Sequence, residues 1–168
     1  MKHANESMKH ANEYGFLPGN DAEQNARALQ AAVDLGGEIL VELPGVYDLS
    51  ETVEIGDDTS IRFSEGVKIR RQKSRTGKTG MLFLNKGCDT ATYNENIRLI
   101  GLHIDCNGVE SDDTMENSRL VGLRAQVGMI YVKHLVVEDF ECTGLLHNLT
   151  SFCFVNNKQF SETSAIQF

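Results

Sequence analysis

The segment GGEILVELPGVYDLS, residues 36–50, decides the fold of this sequence. It has two glycines, an apolar run, a Pro44-Gly45 turn and a second apolar run that contains Tyr47. Glycine adopts the left-handed conformation that ends many helices, and Pro-Gly is typical of tight turns. The segment therefore predicts the end of a helix, followed by short strands that meet at corners.

One amphipathic helix is expected before this segment, at about residues 20–35, from the periodicity of its apolar residues. Those residues recur at helical spacing: Ala22, Ala26, Leu29 and Val33. Asn20 or Asp21 is suited to cap the first turn. The narrow apolar stripe, rich in alanine, indicates that the helix lies close against an apolar surface.

The rest of the chain has the pattern of an all-β protein, with short apolar runs separated by turn residues. Two stretches, IRLIGLHIDCNG (97–108) and KHLVVEDFECTG (133–144), align without a gap at an offset of 142 − 106 = 36 residues. A repeat of this kind predicts stacked coils, with Cys106 and Cys142 in one column as reduced thiols. The alternative is two unrelated buried strands that happen to look alike.

The sequence resembles the pectate-lyase superfamily of right-handed parallel β-helix proteins, which includes polygalacturonase-type hydrolases (glycoside hydrolase family 28) and phage tailspikes. The matching residues are Tyr14, Gly15, Asp21, Ala28, Leu29, Gln30, Ala32, Gly36, Gly37, Pro44, Gly45 and Tyr47. NIRLIGLHIDCNG also resembles the first full coil of this family, with Cys106 at the usual glycine. The resemblance implies an all-β, right-handed, single-stranded parallel β-helix with an N-terminal capping α-helix. We expect it to occupy residues 14–168, after a disordered tail (1–13) in which MKHANE occurs twice.

The resemblance also implies a carbohydrate-active protein that cleaves pectin-like uronate polymers, by hydrolysis of their glycosidic bonds or, as the alternative, as a lyase. The later coils of polygalacturonases carry Asn-Thr-Asp, Asp-Asp, Gly-His-Gly and Arg-Ile-Lys motifs, none of which occurs here in that context. Asp112-Asp113 lies in a predicted loop and is interpreted as a solvated turn, as is Asp57-Asp58. Because the sequence stops within a strand pattern, we expect an N-terminal fragment that is inactive alone. The alternative is a non-catalytic carbohydrate-binding or tailspike-type module.

Four residues are the candidates for a catalytic site: His103, Asp105, Asp139 and Glu141. Alternation predicts that Leu102 and Ile104 point inward, so that His103 and Asp105 point outward. At the 36-residue offset, His103 would stack near Asp139, and Asp105 near Glu141. The interpretation weighed against catalysis is a group of solvated charges on an outer sheet face. A basic stretch at residues 70–78 is likewise interpreted as a solvated loop.

Composition excludes several classes of partner. The net charge of −8 disfavours nucleic acid. No apolar run approaches the length of about 20 residues that spans a membrane. Cysteine and histidine do not cluster at zinc-ligand spacing, so we expect neither a metal nor a cofactor. No secretion signal is visible, which favours the cytoplasm, although the family it resembles is often secreted. The oligomeric state stays open.

Overall fold

The described part of the chain folds into three parallel β-sheets that wrap around an apolar interior. The computed structural model describes residues 8–75, 80–88, 90, 92–109, 125–145, 150–155 and 166–167. Its helices are a 3₁₀ turn, Ala11–Tyr14, and α1, Ala22–Val33. Its strands are β1 Lys9–His10, β2 Gly37–Val41, β3 Gly45–Leu49, β4 Val53–Ile55, β5 Thr59–Phe63, β6 Val67–Arg71, β7 Phe83–Asn85, β8 Asn94–Ile100, β9 His103–Asp105, β10 Ala125–Ile130, β11 Val132–Glu138, β12 Glu141–Thr143, β13 Thr150–Val155 and β14 Ile166–Gln167.

From β2 onward the chain visits the three sheets in strict rotation, which makes it a parallel β-helix, as predicted. Connections between parallel strands are right-handed as a rule. Sheet A has the order β1-β2-β5-β8-β11-β14, sheet B has β12-β9-β6-β3, and sheet C has β13-β10-β7-β4. Every paired strand is parallel to its neighbour. None of the helices in these described ranges is long and apolar enough to cross a bilayer.

Inward side chains form columns, because strands one coil apart pair in register at about 4.8 Å. In sheet A one such column consists of buried Ile39, Ile61, Leu99 and Val137. Each fully buried aliphatic side chain of this size contributes about 1.5–3 kcal/mol through removal of apolar surface from water. The core therefore repeats along the axis of the coil.

The predicted offset of 36 residues between the last two coils is wrong. Leu135 lies opposite Ile97, and Glu141 lies opposite His103, so the offset is 141 − 103 = 38 residues. A two-residue shift keeps the same side chains inside and outside, so alternation does not distinguish the two registers. Backbone conformation does distinguish them. Asn96 and His134 both have positive φ (58° and 56°), and they become neighbours only at an offset of 38 residues.

The fold begins before Tyr14, which corrects the expected tail for residues 8–13. Lys9 and His10 form β1 and pair in parallel with Ile39 and Leu40 of β2. This strand covers the edge of sheet A that the first coil would otherwise expose to unwanted pairing. Residues 1–7 lie outside the described residues.

Helix α1 covers the open end of the first coil, as the resemblance implied. Asp21 is the cap, since its Oδ1 accepts a hydrogen bond from the Gln24 backbone N–H at 2.8 Å. Leu29 is fully buried among the core residues of the first coil. Nearby, Phe16 stacks on Tyr47 with ring centroids 4.5 Å apart. The Tyr47 hydroxyl, buried in the same cluster, donates to the Leu43 carbonyl at 2.7 Å.

Gln30 of this helix pairs with β4, the edge strand of sheet C. Its Nε2 donates to the Glu54 carbonyl (2.9 Å), and its Oε1 accepts from the Glu54 N–H (2.7 Å). The side-chain amide therefore occupies the place of a neighbouring strand. Unpaired edge groups of this kind otherwise bind water or another chain.

We predict that Gln30→Ala lowers the free energy of unfolding by about 1 kcal/mol, because two backbone groups of β4 lose their partner. Hydrogen exchange at the Glu54 amide should become faster. Urea unfolding and exchange measured by NMR test both effects. The matched control is Gln24→Ala, since Gln24 is an exposed residue of the same helix. Equal stability losses in the two variants, with unchanged Glu54 exchange, would contradict this role.

On the outer face of sheet B, Asp48 and Arg70 form a two-point ion pair between neighbouring coils. Arg70 Nε donates to Asp48 Oδ1 at 2.6 Å, and the Arg70 Nη2 donates to Oδ2 at 2.9 Å. Gln72 donates a further hydrogen bond to Oδ1 at 2.9 Å. The hydrogen bonds from Arg70 lower the pKa of Asp48. Its ionised form therefore stabilises the folded chain.

We predict that Asp48→Asn costs less than about 1 kcal/mol at pH 7, since the pair is partly exposed. The difference in free energy of unfolding between wild type and Asp48→Asn is fully present above the ordinary aspartate pKa of about 3.9. It should disappear as the pH falls through the lower pKa of the folded state. Urea unfolding at several pH values tests this, with Glu38→Gln as a control for net charge. A difference between wild type and Asp48→Asn that does not shrink as the pH is lowered below about 3.9 would refute it.

Candidate functional site

The predicted site residues lie on the outer face of sheet B. His103 and Asp105 belong to β9, and Glu141 begins β12 in the next coil. Leu102 and Ile104 are buried, whereas His103 and Asp105 are partly exposed. The predicted alternation is therefore confirmed at this strand.

His103 lies between two carboxylates of the following coil. Its Nε2 is 3.3 Å from Asp139 Oδ1, and its Nδ1 is 3.5 Å from Glu141 Oε2. The Nε2 contact lacks hydrogen-bond geometry, so it is an electrostatic contact only. The expected proximity of His103 and Asp139 is thus observed. A protonated imidazole would attract both carboxylates, while solvent screens part of this attraction at an outer face.

The expected side-by-side pair of Asp105 and Glu141 is not formed. In the 38-residue register Asp105 lies opposite Thr143, and Glu141 lies opposite His103. The Asp105 carboxylate accepts a hydrogen bond from the Asn107 backbone N–H at 2.9 Å, as in an Asx turn. A retaining glycosidase needs two carboxyl groups about 5–5.5 Å apart across one bond. The catalytic role of these four residues stays a prediction.

The basic stretch at 70–78 is only in part the solvated loop that we expected, since Lys73 and Arg75 are exposed but Arg71 is buried. Arg70 and Arg71 end strand β6, and Arg71 is fully buried, where it donates to Gln126 Oε1 and to the Gly80 carbonyl. Arg75 pairs with Glu23 of helix α1 at 3.3 Å. These cations hold parts of the fold together. Lys78 and the Asp112-Asp113 pair lie outside the described residues.

A second outward cluster lies where the chain passes from sheet C to sheet A, and the sequence analysis missed it. We call it the aromatic corner, and its members are Tyr93, Glu95, Asn96, Tyr131, Lys133 and His134. The rings of Tyr93 and Tyr131 meet at 69° with centroids 5.8 Å apart. Lys133 Nζ lies 5.0 Å from the Tyr93 centroid and 3.3 Å from Glu95 Oε1. Both tyrosines are partly exposed.

A ladder of polar side chains continues this corner across three coils. Asn96 Nδ2 donates to Asp58 Oδ1 at 2.6 Å, and Asn96 Oδ1 lies 3.0 Å from His134 Nδ1. All three residues have positive φ, so the same tight backbone turn recurs in each coil. Asp57 accepts from Asn94 Nδ2 (2.8 Å). Both aspartates of the Asp57-Asp58 turn are exposed, as interpreted from the sequence, and they also accept hydrogen bonds from the next coil.

Buried asparagines fix the backbone of the corner. Asn85 donates to the Ile130 carbonyl at 2.6 Å and accepts from the Ile130 N–H at 2.7 Å. The Asn94 N–H donates to the Tyr131 carbonyl at 2.9 Å. These bonds hold Tyr131 at φ 57°, a conformation that a bulky residue adopts at a cost of about 1–3 kcal/mol. The backbone that carries the Tyr131 ring is consequently fixed.

A sequence signal for this corner exists at the 38-residue offset. There the stretch TYNENI (92–97) aligns with IYVKHL (130–135), which matches Tyr93 with Tyr131 and Asn96 with His134. At the offset of 36 neither pair coincides. Within the described residues, no group of three or more histidine, cysteine, aspartate or glutamate side chains is placed to hold a metal ion.

No protein-family model matches the sequence, and no curated protein matches it. Several solved structures do match this chain. An ι-carrageenase complexed to ι-carrageenan fragments aligns with a TM-score of 0.59 and 20% identity over 82% of this chain. PfbA, a surface adhesin of Streptococcus pneumoniae, aligns with a TM-score of 0.60 and 18% identity over 82% of it. A proposed glycosyl hydrolase from Parabacteroides merdae aligns with a TM-score of 0.60 and 18% identity over 95% of this chain.

The share of each neighbour that is covered differs. The chain spans 29% of the carrageenase and 33% of the adhesin, but 79% of the Parabacteroides merdae protein. Sequence identities this low show a shared fold but not a shared activity, because one fold hosts many functions. The chain is a parallel β-helix whose structural neighbours include glycoside hydrolases and an adhesin.

Proposed function

We propose that this chain is part of a carbohydrate-active β-helix protein and that its aromatic corner binds polysaccharide. The substrate class that we assign first is a pectin-like uronate polymer whose glycosidic bonds the whole protein hydrolyses. The observation that carries the proposal is the pair Tyr93 and Tyr131, which are partly exposed and in edge-to-face contact across neighbouring coils.

The chemistry of the corner fits a sugar chain. A pyranose ring has an apolar C–H face, which packs on an aromatic ring, and hydroxyl groups that need hydrogen-bond partners. Lys133 lies over the ring of Tyr93 and occupies that aromatic face. We therefore assign the packing against the sugar to the ring of Tyr131. Asn96 and His134 are exposed beside it and offer polar contacts.

The acidic character of the chain bears on the choice of polymer. The net charge is −8, and Lys133 is already paired with Glu95. Recognition at this corner should therefore rely on stacking and hydrogen bonds, with little contribution from attraction to uronate charges. Methyl-esterified pectin and de-esterified polygalacturonate are accordingly expected to bind with similar affinity, and added salt should weaken neither much.

The second candidate is a module that binds carbohydrate without cleaving it. It is favoured by the geometry of the predicted site, in which Glu141 lies opposite His103 and not opposite Asp105. Glycoside hydrolysis needs two carboxyl groups that flank one glycosidic bond, whereas the Asp105 carboxylate is engaged by the Asn107 backbone N–H. Similarity to an adhesin is compatible with this candidate.

We predict that Tyr131→Asn weakens binding of pectic oligosaccharides about 5–10-fold, because one aromatic contact of about 1 kcal/mol or more is lost. Asparagine tolerates positive φ, so the fold should persist. Titration calorimetry with methyl-esterified and de-esterified oligosaccharides measures the effect.

Two variants control this experiment. Tyr131→Phe keeps the ring and should retain most of the affinity. His103→Gln changes the outer face of sheet B and should leave binding at the aromatic corner unchanged. Wild-type and Tyr131→Asn proteins that bind equally well, or a wild type that binds none of these polymers, would refute the assignment of the corner.

Cleavage is tested separately. We predict that the 168-residue chain releases no reducing ends or unsaturated products from polygalacturonate, with or without calcium. The reason is that the Asp105 carboxylate is engaged by the Asn107 backbone N–H, while Asp139 and Glu141 both contact His103. Robust cleavage that is abolished by Asp105→Asn or by Glu141→Gln would make that pair the active site and overturn the binding-only candidate.

A further inference from the structure

Two thiols from neighbouring coils meet at the end of sheet B. Cys106 Sγ lies 3.3 Å from Cys142 Sγ, and the two residues are 36 positions apart. Cys142 pairs with Ile104, so the two cysteines approach diagonally, from β12 and from the turn after β9. The structure has both as thiols.

Backbone hydrogen bonds join the two coils on both sides of this sulfur contact. The Cys106 N–H donates to the Thr143 carbonyl at 2.8 Å, and the Gly108 N–H donates to the Gly144 carbonyl at 3.1 Å. A Cβ atom on Gly144 would lie 2.9 Å from Asp105 Oδ1, and Gly144 has φ +69°. The contact between the sulfur atoms is therefore held from both sides and does not depend on a loose loop.

The two thiols have different surroundings. Cys106 is fully buried, while Cys142 is partly exposed and open to a reagent in solution. The hydrogen bond with Cys106 and the positive charge of buried Arg71 lower the pKa of Cys142. The same hydrogen bond and burial raise the pKa of Cys106. Cys142 is thus the nucleophile of the pair, since the thiolate is the reactive form.

We propose that Cys106 and Cys142 are a redox modification site that forms a reversible disulfide between two neighbouring coils. The oxidant is a small-molecule disulfide such as oxidised glutathione, and Cys142 reacts first. The disulfide closes the segment between the two coils into a covalent loop and joins β12 to the turn after β9. This site is independent of any polysaccharide activity.

The chemistry is two successive thiol–disulfide exchanges. The Cys142 thiolate attacks one sulfur of oxidised glutathione, forms a mixed disulfide and displaces one glutathione thiolate, which takes up a proton. Cys106 loses its proton and attacks the Cys142 sulfur, which expels the second glutathione thiolate. The two cysteines lose two electrons and two protons, and one oxidant disulfide becomes two glutathione thiols. Such exchange proceeds through mixed disulfides in general.

Cys88 has a different environment from this pair. Cys88 is buried in a separate apolar cluster with Met81, Leu84, Ala125 and Ile130. The side chain of Cys153 is outside the described part of the chain. The test therefore identifies the bonded pair directly and does not rely on counting thiols.

The full 168-residue chain is incubated with oxidised glutathione, and the peptides are mapped by mass spectrometry without reduction. We expect one peptide pair linked through Cys106 and Cys142, and a melting temperature about 5–15 °C above that of the reduced protein. Dithiothreitol should restore the lower value. Brief alkylation of the reduced protein should label Cys142 before Cys106.

Matched variants complete the test. Cys142→Ser should remove both the linked peptide and the thermal shift, while Cys88→Ala should keep both. Cys106→Ser should stop the reaction at a glutathione adduct on Cys142. Because Cys106 is buried and its variant could unfold, the wild-type peptide map decides the matter by itself. A map in which Cys106 and Cys142 stay reduced, or link to Cys88 or Cys153, would overturn the proposal.

Discussion

Parallel pairing between successive coils is the constraint on which the rest of this structure depends. Strands in neighbouring coils lie about 4.8 Å apart, so each side chain meets its counterpart one coil away. Inside the coil this produces columns such as Ile39, Ile61, Leu99 and Val137. Outside, it aligns Asp58 with Asn96 and His134 in a polar ladder. The repeat in space therefore carries both the core and the surface chemistry.

The same constraint leaves the first coil with an open end, and most of the N-terminal segment is used to close it. Strand β1 pairs with the edge of sheet A. Helix α1 covers the apolar interior, and Gln30 occupies the strand position beside Glu54 with its side-chain amide. Solenoid folds require terminal caps of this sort because a stack of coils exposes its last backbone groups. The helix is thus a part of the β-architecture.

Outward positions are free of the demands of the core, and both candidate sites lie there. His103 with Asp139 and Glu141 is a charge cluster on the face of sheet B, where solvent screens it. The aromatic corner differs, because buried Asn85 and Asn94 fix its backbone and two rings pack against each other. A rigid apolar surface with polar neighbours suits a sugar better than exposed carboxylates do. Structural neighbours with different activities are consistent with function residing in such local surfaces.

The sequence by itself determined the helix with its Asp21 cap, the glycine exit at Gly36, and the all-β coils that follow. Alternation also placed His103 and Asp105 on the outside, since side chains of a strand point to opposite faces in turn. Only the tertiary structure decided which residues face each other across the coils. A shift of two residues preserves the alternation of inward and outward side chains. The sequence pattern therefore does not distinguish an offset of 36 residues from the observed offset of 38 residues. Backbone turns with positive φ at Asn96 and His134 select the register, and they thereby place Glu141 beside His103 and Tyr131 beside Tyr93.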